Sequence, residues 1–328
     1  MTRRFSMRSC HPIVGVALVL ALTGVACSRR PASSAGAMAT PSSSRPSTAR
    51  AVDWTSADAA LGRAGEALPG GVHRYGFPRS DLTVRLDGVV LKPGFALGSY
   101  AAFVPAGGGV LVMGDLVLTE AEVSPVVGKL QEQGFDVTAV HNHLLREQPK
   151  VMYVHYLGHG PDAAALARGL RAALESSATP LGPPAAASPG GDLGLDAAEL
   201  DRTIGRKGTT AGGLQKYAIA RRETVTMPLG TNETVSLTPA LGVGTVINFQ
   251  PLGGGRAATT GDFALVGAEV SPVTRALRSH AIEVTAVHSH MTDDRPHLYY
   301  VHFFGTGQAS DLAQGLRAAL DQTNAAKE

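Results

Sequence analysis

Cysteine is nearly missing from this chain: Cys10 and Cys27 are the only two in 328 residues, and both lie near the N-terminus. A disulfide framework and a thiolate metal site both need paired cysteines in the folded part, so neither is available. Charge of one sign is missing too. Lys and Arg number 29 against 27 Asp and Glu, for a net charge of +2, and they are scattered rather than clustered. Nucleic acid as a partner has no support in such a distribution. No G-x-S-x-G elbow is present to set up a serine nucleophile. The glycine runs at Gly107–Gly109 and Gly253–Gly255 lack a following Lys-Ser/Thr, so they read as hairpin turns and not as phosphate loops.

Only one long apolar run occurs. It is PIVGVALVLALTGVA, after the basic start MTRRFSMR, and it is too short to favour a spanning helix. It ends in Gly24-Val25-Ala26-Cys27, and small residues ahead of a cysteine resemble a bacterial lipoprotein signal. That resemblance implies cleavage before Cys27, lipidation of Cys27 and anchoring in the membrane of the cell envelope. The alternative is ordinary signal cleavage and a secreted or periplasmic soluble protein. Residues 28–51 are Ser, Pro, Ala and Arg without apolar period, a composition that reads as a flexible tether.

Beyond residue 51 the chain repeats itself. AEVSPV stands at Ala121–Val126 and again at Ala268–Val273, and GLRAAL at Gly169–Leu174 returns at Gly315–Leu320. A Pro-, Gly- and Ala-rich stretch separates the copies. The chain therefore divides into a signal segment 1–27, a tether 28–51, a first repeat 52–180, a linker 181–192 and a second repeat 193–328. A hydrophobic fraction of 44% is enough for packed cores.

Each copy has the same order of elements. A helix at Ser56–Glu66 or Asp196–Ile204 precedes strands at Leu82–Leu86, Phe95–Val104 and Val110–Leu118. Their counterparts are Thr224–Met227, Gly242–Phe249 and Ala257–Leu265. A helix then starts with Ser124 as N-cap and Pro125 at its first position, or Ser271 and Pro272 in the second copy. A histidine-bearing hairpin and a closing amphipathic helix complete the unit. The fold class is α+β: two tandem homologous repeats with largely antiparallel sheets, related by a pseudo-two-fold axis.

The chemistry concentrates in the hairpin. His141, His143 and His155 recur as His288, His290 and His302. Strand side chains alternate faces, so an i, i+2 pair points one way. A symmetric loop sets His141 opposite His155 and Tyr153 opposite His143, and likewise His288 opposite His302. Three imidazoles per copy with an open position describe a site for a divalent metal such as zinc. Glu122 and Glu269, before the helix proline, and Glu147 and Asp294, in the hairpin loop, are possible additional ligands. Asp115 and Asp262 are candidates to hold a histidine N–H, or simply turn residues. Tyr153 and Tyr300 read as packing beside the histidines, and Arg79 as a solvated arginine. The bland alternative is that the histidines are polar members of a half-covered sheet. Their recurrence while neighbours change (Asn142 to Ser289, Lys150 to His297) weighs against it.

GDLVLTEAEVSPV, VTAVHNHLL and MYVHYLGHG, with their second-copy versions, resemble the LppY/LpqO family of bacterial exported proteins, often lipoproteins, filed as domain of unknown function 1259. The resemblance covers nearly the whole chain after the tether. It implies an exported, duplicated protein and brings no activity, substrate or catalytic residue. His159 becomes Thr306 in the second copy, which argues against it as a ligand. Three functions are compatible with these features: a cell-envelope protein whose histidines hold a metal ion or small ligand, a metal-dependent hydrolase with Glu122 or Glu147 handling protons, and a scaffold with no site.

Overall fold

The computed structural model describes residues 52–183, 193–230 and 233–326. The signal segment with Cys27, the tether, and residues 184–192 of the linker lie outside the described residues. The first copy begins with α1 (Trp54–Leu61), β1 (Glu66–Leu68) and β2 (Val72–Pro78). An arm comes next, made of the short ladder β3 (Arg85–Leu86) with β4 (Val89–Val90) and the one-turn helix α2 (Pro93–Ala96). The copy continues with β5 (Gly98–Ala106), β6 (Gly109–Thr119), α3 (Glu120–Glu132), β7 (Asp136–His141), β8 (Val151–Gly160) and α4 (Ala163–Leu174). The second copy opens with α5 (Ala197–Ile204), β9 (Thr209–Ala211) and β10 (Leu214–Ile219), and its arm is the hairpin β11 (Val225–Leu229) with β12 (Glu233–Leu237) together with the single helical turn Pro239–Leu241. It ends with β13 (Thr245–Gly253), β14 (Arg256–Val266), α6 (Gly267–Ser279), β15 (Glu283–His288), β16 (Leu298–Gln308) and α7 (Ala309–Leu320).

Two six-stranded sheets result, in the orders β1-β2-β5-β6-β8-β7 and β15-β16-β14-β13-β10-β9. Every pairing in them is antiparallel. The fold is therefore the duplicated α+β architecture that the repeats imply. Leu116, Leu118 and Val154 pack with Leu130 and Leu170 on the helical face of the first sheet. Leu265 and Val301 do the same with Leu277 and Leu316 in the second.

The opposite faces are covered by the other copy. Met227 and Leu241 of the second copy's arm share a core with Ala102, Leu111 and Met113 of the first sheet. Phe95 and Leu97 of the first arm join Ala258 and Phe304 of the second. Each copy thus lends its arm to its neighbour. Burial on both faces explains why Val110–Leu118 is apolar almost without alternation. Neither sheet has a dry inner face without the other copy's arm.

Several boundaries differ from the sequence reading. The helix expected at Ser56–Glu66 ends at Leu61, where Gly62 takes the left-handed conformation with φ 72° and closes it. The strand expected at Leu82–Leu86 shrinks to a two-residue ladder, while β2 and β10, full members of the sheets with alternating burial, lie outside the expected strands. α3 starts at Glu120 and not after Ser124, because the Glu122 carboxylate accepts the Thr119 N–H at 2.7 Å. The Thr-x-x-Glu pattern was the true start signal, and Pro125 sits inside the helix. In α6 the Glu269 carboxylate takes the Val266 N–H at 2.9 Å in the same way.

Candidate metal centre

The histidine hairpins pair two residues out of the symmetric register. Tyr153, not His155, stands opposite His141, and His155 faces Ala139 after a bulge between Val137 and Ala139. The second copy repeats this with His288 opposite Tyr300 and Ala286 opposite His302. Within the loop, Gln148 bridges to Arg85 of the arm, and Arg295 of the second copy bridges to Thr226. His143 and His290 consequently lie past the ends of β7 and β15 and reach inward from the loop. Tyr153 and Tyr300 hold them there, each ring stacked on its histidine at 3.3 Å between centroids. The tyrosines pack, as expected, and in doing so they aim ligands.

The larger difference is that the two trios are one group. β7 and β15 meet at the pseudo-two-fold, where the Thr138 hydroxyl donates to the His290 carbonyl at 2.6 Å and Thr285 donates to that of His143. This brings His141 and His288 face to face at 3.5 Å. His143 stacks on His302 and His155 on His290, each at 3.8 Å, so rings from the two copies alternate. His141, His155, His290 and His302 are no more than 9% exposed.

In three of the rings the orientation selects one tautomer. His141 Nδ1 lies 3.1 Å from the Asn142 carbonyl and His302 Nδ1 lies 3.0 Å from the Gly261 carbonyl. His155 makes the matching bond to the Gly114 backbone. A carbonyl only accepts, so these Nδ1 atoms carry the proton and the Nε2 lone pairs are free. The approach to the backbone needs glycine: a Cβ on Gly114 would stand 2.1 Å from the Tyr100 carbonyl oxygen. Among the described residues, none gives a hydrogen-bond partner to any of the six buried Nε2 atoms. Burial holds His141 down at about 4 and His288 at about 3, and it lowers the other four well below the usual imidazole value. The rings are neutral at physiological pH, the state in which imidazole ligates a metal.

Three sets of imidazoles place their ligand nitrogens within 4.8 Å of one another: His141, His155 and His288; His141, His143 and His302; and His288, His290 and His302. Asp115, His143 and His155 form a fourth set under the same limit. The buried histidines can therefore hold a metal ion, since first-row metals bind imidazole nitrogen at about 2 Å and small ring rotations would close the remaining gap. Asp115 stands opposite His155 on β6, and its Oδ2 lies 3.6 Å from His143 Nε2. Asp262 holds the same place opposite His302, with its carboxylate accepting the Val246 N–H at 3.1 Å. Burial raises Asp115 to about 8, helped by the nearby Asp262, and raises Asp262 to about 7.

The glutamates are elsewhere. Glu122 is bound by Arg79 at 2.7 Å and Glu269 by Arg221 at 2.7 Å, and both also cap helices. Arg79 is not solvated: it is fully buried, because Asp81 and Glu122 flank it. Glu147 and Asp294 turn back on their own loops, toward the Val151 and Leu298 N–H groups, and Asp294 also binds His297 at 2.7 Å. None of the four joins a histidine set, so a proton-handling role for Glu122 or Glu147 beside the ion has no geometric basis. Exposed His159 bonds the Ala106 carbonyl and stays out of the centre.

Four of the six histidines, His143, His155, His290 and His302, line a cavity of about 430 Å³ together with Asp115, Asp262, Tyr100, Arg74 and Lys216. The sequence reading missed the last two. Their signal was there, since a cation precedes the repeated tyrosine in both copies, Tyr75 and Tyr217.

Fold and site together define a duplicated α+β protein with one shared, buried histidine centre. The chain belongs to the family described as Domain of Unknown Function (DUF1259), whose model matches residues 55–176 and again 198–322. No curated protein matches. Among solved structures, a trimeric bacterial microcompartment shell protein, PduB, aligns with 12% identity over 80% of this chain and 89% of its own, at a TM-score of 0.20. EtuB from Clostridium kluyveri aligns with 9% identity over 78% and 90%, at 0.22. At those TM-scores neither likeness bears on fold or function.

Proposed function

We propose that this protein binds a divalent transition metal through its shared histidine centre and presents it to a small ligand in the adjoining cavity. The observation that carries this is the set of six buried Nε2 atoms without hydrogen-bond partners. A buried polar atom left unsatisfied costs about 1–3 kcal/mol. A scaffold would not gather six of them, whereas a bound ion turns the lone pairs of the set that holds it into ligand bonds. Zinc, copper, iron and manganese all suit such nitrogen sites or mixed sites with Asp115.

Metal analysis of protein purified without a histidine tag tests the reading. Stoichiometric metal, or uptake to stoichiometry from added zinc, copper, iron or manganese, is the expected result. Less than about a tenth of an equivalent, with no uptake, overturns it. The cavity on one side of the centre also supports a metal-dependent hydrolase as a second reading, with a metal-bound water as nucleophile. Turnover of ester, phosphate or peptide substrates that disappears in His155→Ala separates this from simple binding.

The kinship with LppY/LpqO exported proteins and delivery to the cell envelope through lipidated Cys27 belong to the same proposal. Incorporation of labelled palmitate, lost in Cys27→Ala, is the expected result; a protein that takes up no label is released in soluble form instead.

A further inference from the structure

Arg74 on β2 and Lys216 on β10 occupy equivalent places in the two copies and line the cavity that the histidines floor. Each reaches across to the other copy's arm, Arg74 to the Ala240 carbonyl at 3.0 Å and Lys216 to the Gly94 carbonyl at 2.7 Å. Those bonds use one donor from each side chain, leaving most of the guanidinium and two ammonium hydrogens unassigned. The Arg74 guanidinium lies 3.9 Å over the Tyr100 ring, which fixes its plane at the cavity wall.

Among the described residues, no ion pair includes Arg74 or Lys216. Glu66 stands opposite Arg74 on β1 without pairing with it, and the residue opposite Lys216 is Thr209. The two are also close enough to repel: Lys216 is pushed below its usual value by burial and then by Arg74. The cavity's own acids, Asp115 and Asp262, stand in register with His155 and His302, where a bound ion would engage them. Two cations lining one cavity, neither of them ion-paired with a carboxylate, form a receptor for an anionic group.

We propose that the cavity takes a small organic anion, with its carboxylate or phosphate group held by Arg74 and Lys216 and its other end turned toward the histidine centre. This assigns a ligand class to the site and rests on the metal reading only for what the inner end meets. The asymmetry of the pair is informative. Arginine offers a planar fork for two oxygens and lysine a point charge, so one acidic group bridging both is the simplest occupant.

Titration calorimetry with benzoate and with phenylphosphonate, on zinc-loaded and on metal-free protein, tests it. The expected result is saturable binding of one probe or both that weakens with added salt. Affinity falls about tenfold or more in Arg74→Gln and again in Lys216→Gln, as lost charge-assisted hydrogen bonds imply. Arg74→Lys and Lys216→Arg retain binding, since each keeps a positive charge at the cavity wall. Preference for benzoate assigns a carboxylate ligand, and preference for phenylphosphonate a phosphate ester. No binding of either probe, or affinity unchanged in the Arg74→Gln, Lys216→Gln double variant, overturns the proposal. Should the protein hold no metal while both cations still govern anion binding, the metal reading fails and the anion site stands.

Discussion

Arg79 and His155 are both buried polar residues in the same copy of the fold, and they are treated in opposite ways. Arg79 places all five of its N–H donors: on Asp81, on Glu122 and on the Val117 carbonyl, at 2.7–3.2 Å. Arg221 repeats the pattern with Glu223, Glu269 and the Ala264 carbonyl. His155 satisfies its Nδ1 and leaves Nε2 bare, and its five companions leave theirs bare as well. The same chain therefore completes a buried polar network where it needs one, and does so twice. Among the described residues, unpartnered buried side-chain atoms concentrate at the histidines, although Arg63 Nε and Thr238 Oγ1 lie outside that site. The arginine clamps hold the fold, and the imidazoles are arranged for something that arrives later.

The sharpest way to break this contrast is to remove ligands and clamps in parallel. His155→Leu with His302→Leu interrupts all four sets of candidate ligands. Metal content should fall from stoichiometric to below about a tenth of an equivalent, because every set loses one of its three ligands. Stability of the metal-free protein should move by only about 1 kcal/mol, since an unsatisfied buried polar atom is exchanged for apolar volume. A metal content that survives would show the centre lies elsewhere. Arg79→Met should do the reverse. It strands Glu122 at low exposure without its partner and costs about 3–5 kcal/mol in denaturant unfolding, while metal content holds. If Arg79→Met proves neutral, the clamp is not the structural counterpart it resembles.

The clamp also sharpens the comparison through pH. Against the opposing effect of burial, Arg79 and two backbone N–H groups hold Glu122 down at about 2, from an ordinary value of 4.5. A depressed carboxylate stabilises the fold fully above the unfolded value and loses that contribution as pH falls through the folded one. Urea midpoints should therefore drop between about pH 4.5 and 2, and Glu122→Gln should flatten that part of the profile. A third effect, smaller, concerns the ion's neighbours. Asp115→Asn should weaken zinc about 10–100-fold in chelator competition, in the range of outer carboxylates. Asp262→Asn should weaken it less, because Asp115 joins a candidate ligand set and Asp262 joins none.

How much of this was legible in the sequence depends on the kind of information each feature needs. The duplication, the antiparallel α+β class and the six histidines are all local or periodic signals, and each could be read. The start of α3 was legible as well, in Thr119 and Glu122, but the nearby Ser124-Pro125 offered a competing start one turn later. Register was not legible, because it includes a bulge between Val137 and Ala139 and a loop that bridges to Arg85, more than sixty residues away. Nor was the union of the two trios. It depends on Thr138 and Thr285 donating across the pseudo-two-fold, and nothing in a strand's own sequence says which edge it will meet. Arg79 looked solvated for a similar reason: Asp81 is its neighbour in sequence, but Glu122 is brought to it only by the fold.

The smallest test lies inside the centre, between residues that the duplication makes equivalent. Tyr153 donates its hydroxyl to the Ala96 carbonyl at 2.7 Å, tying the hairpin to α2 in the arm. Tyr300 has no such acceptor, and its buried hydroxyl is unpartnered. Both rings support a histidine at the same 3.3 Å, so the stacking is equal and only the hydroxyl differs. Tyr153→Phe should therefore cost about 1 kcal/mol, the worth of one buried hydrogen bond, while Tyr300→Phe should be neutral or slightly stabilising in the metal-free protein. Adding metal gives the comparison its edge. If Tyr300→Phe becomes the more costly of the two once zinc is bound, the Tyr300 hydroxyl serves the occupied centre, as the bare imidazole nitrogens do. If the two variants keep the same difference with and without metal, Tyr300 is packing alone.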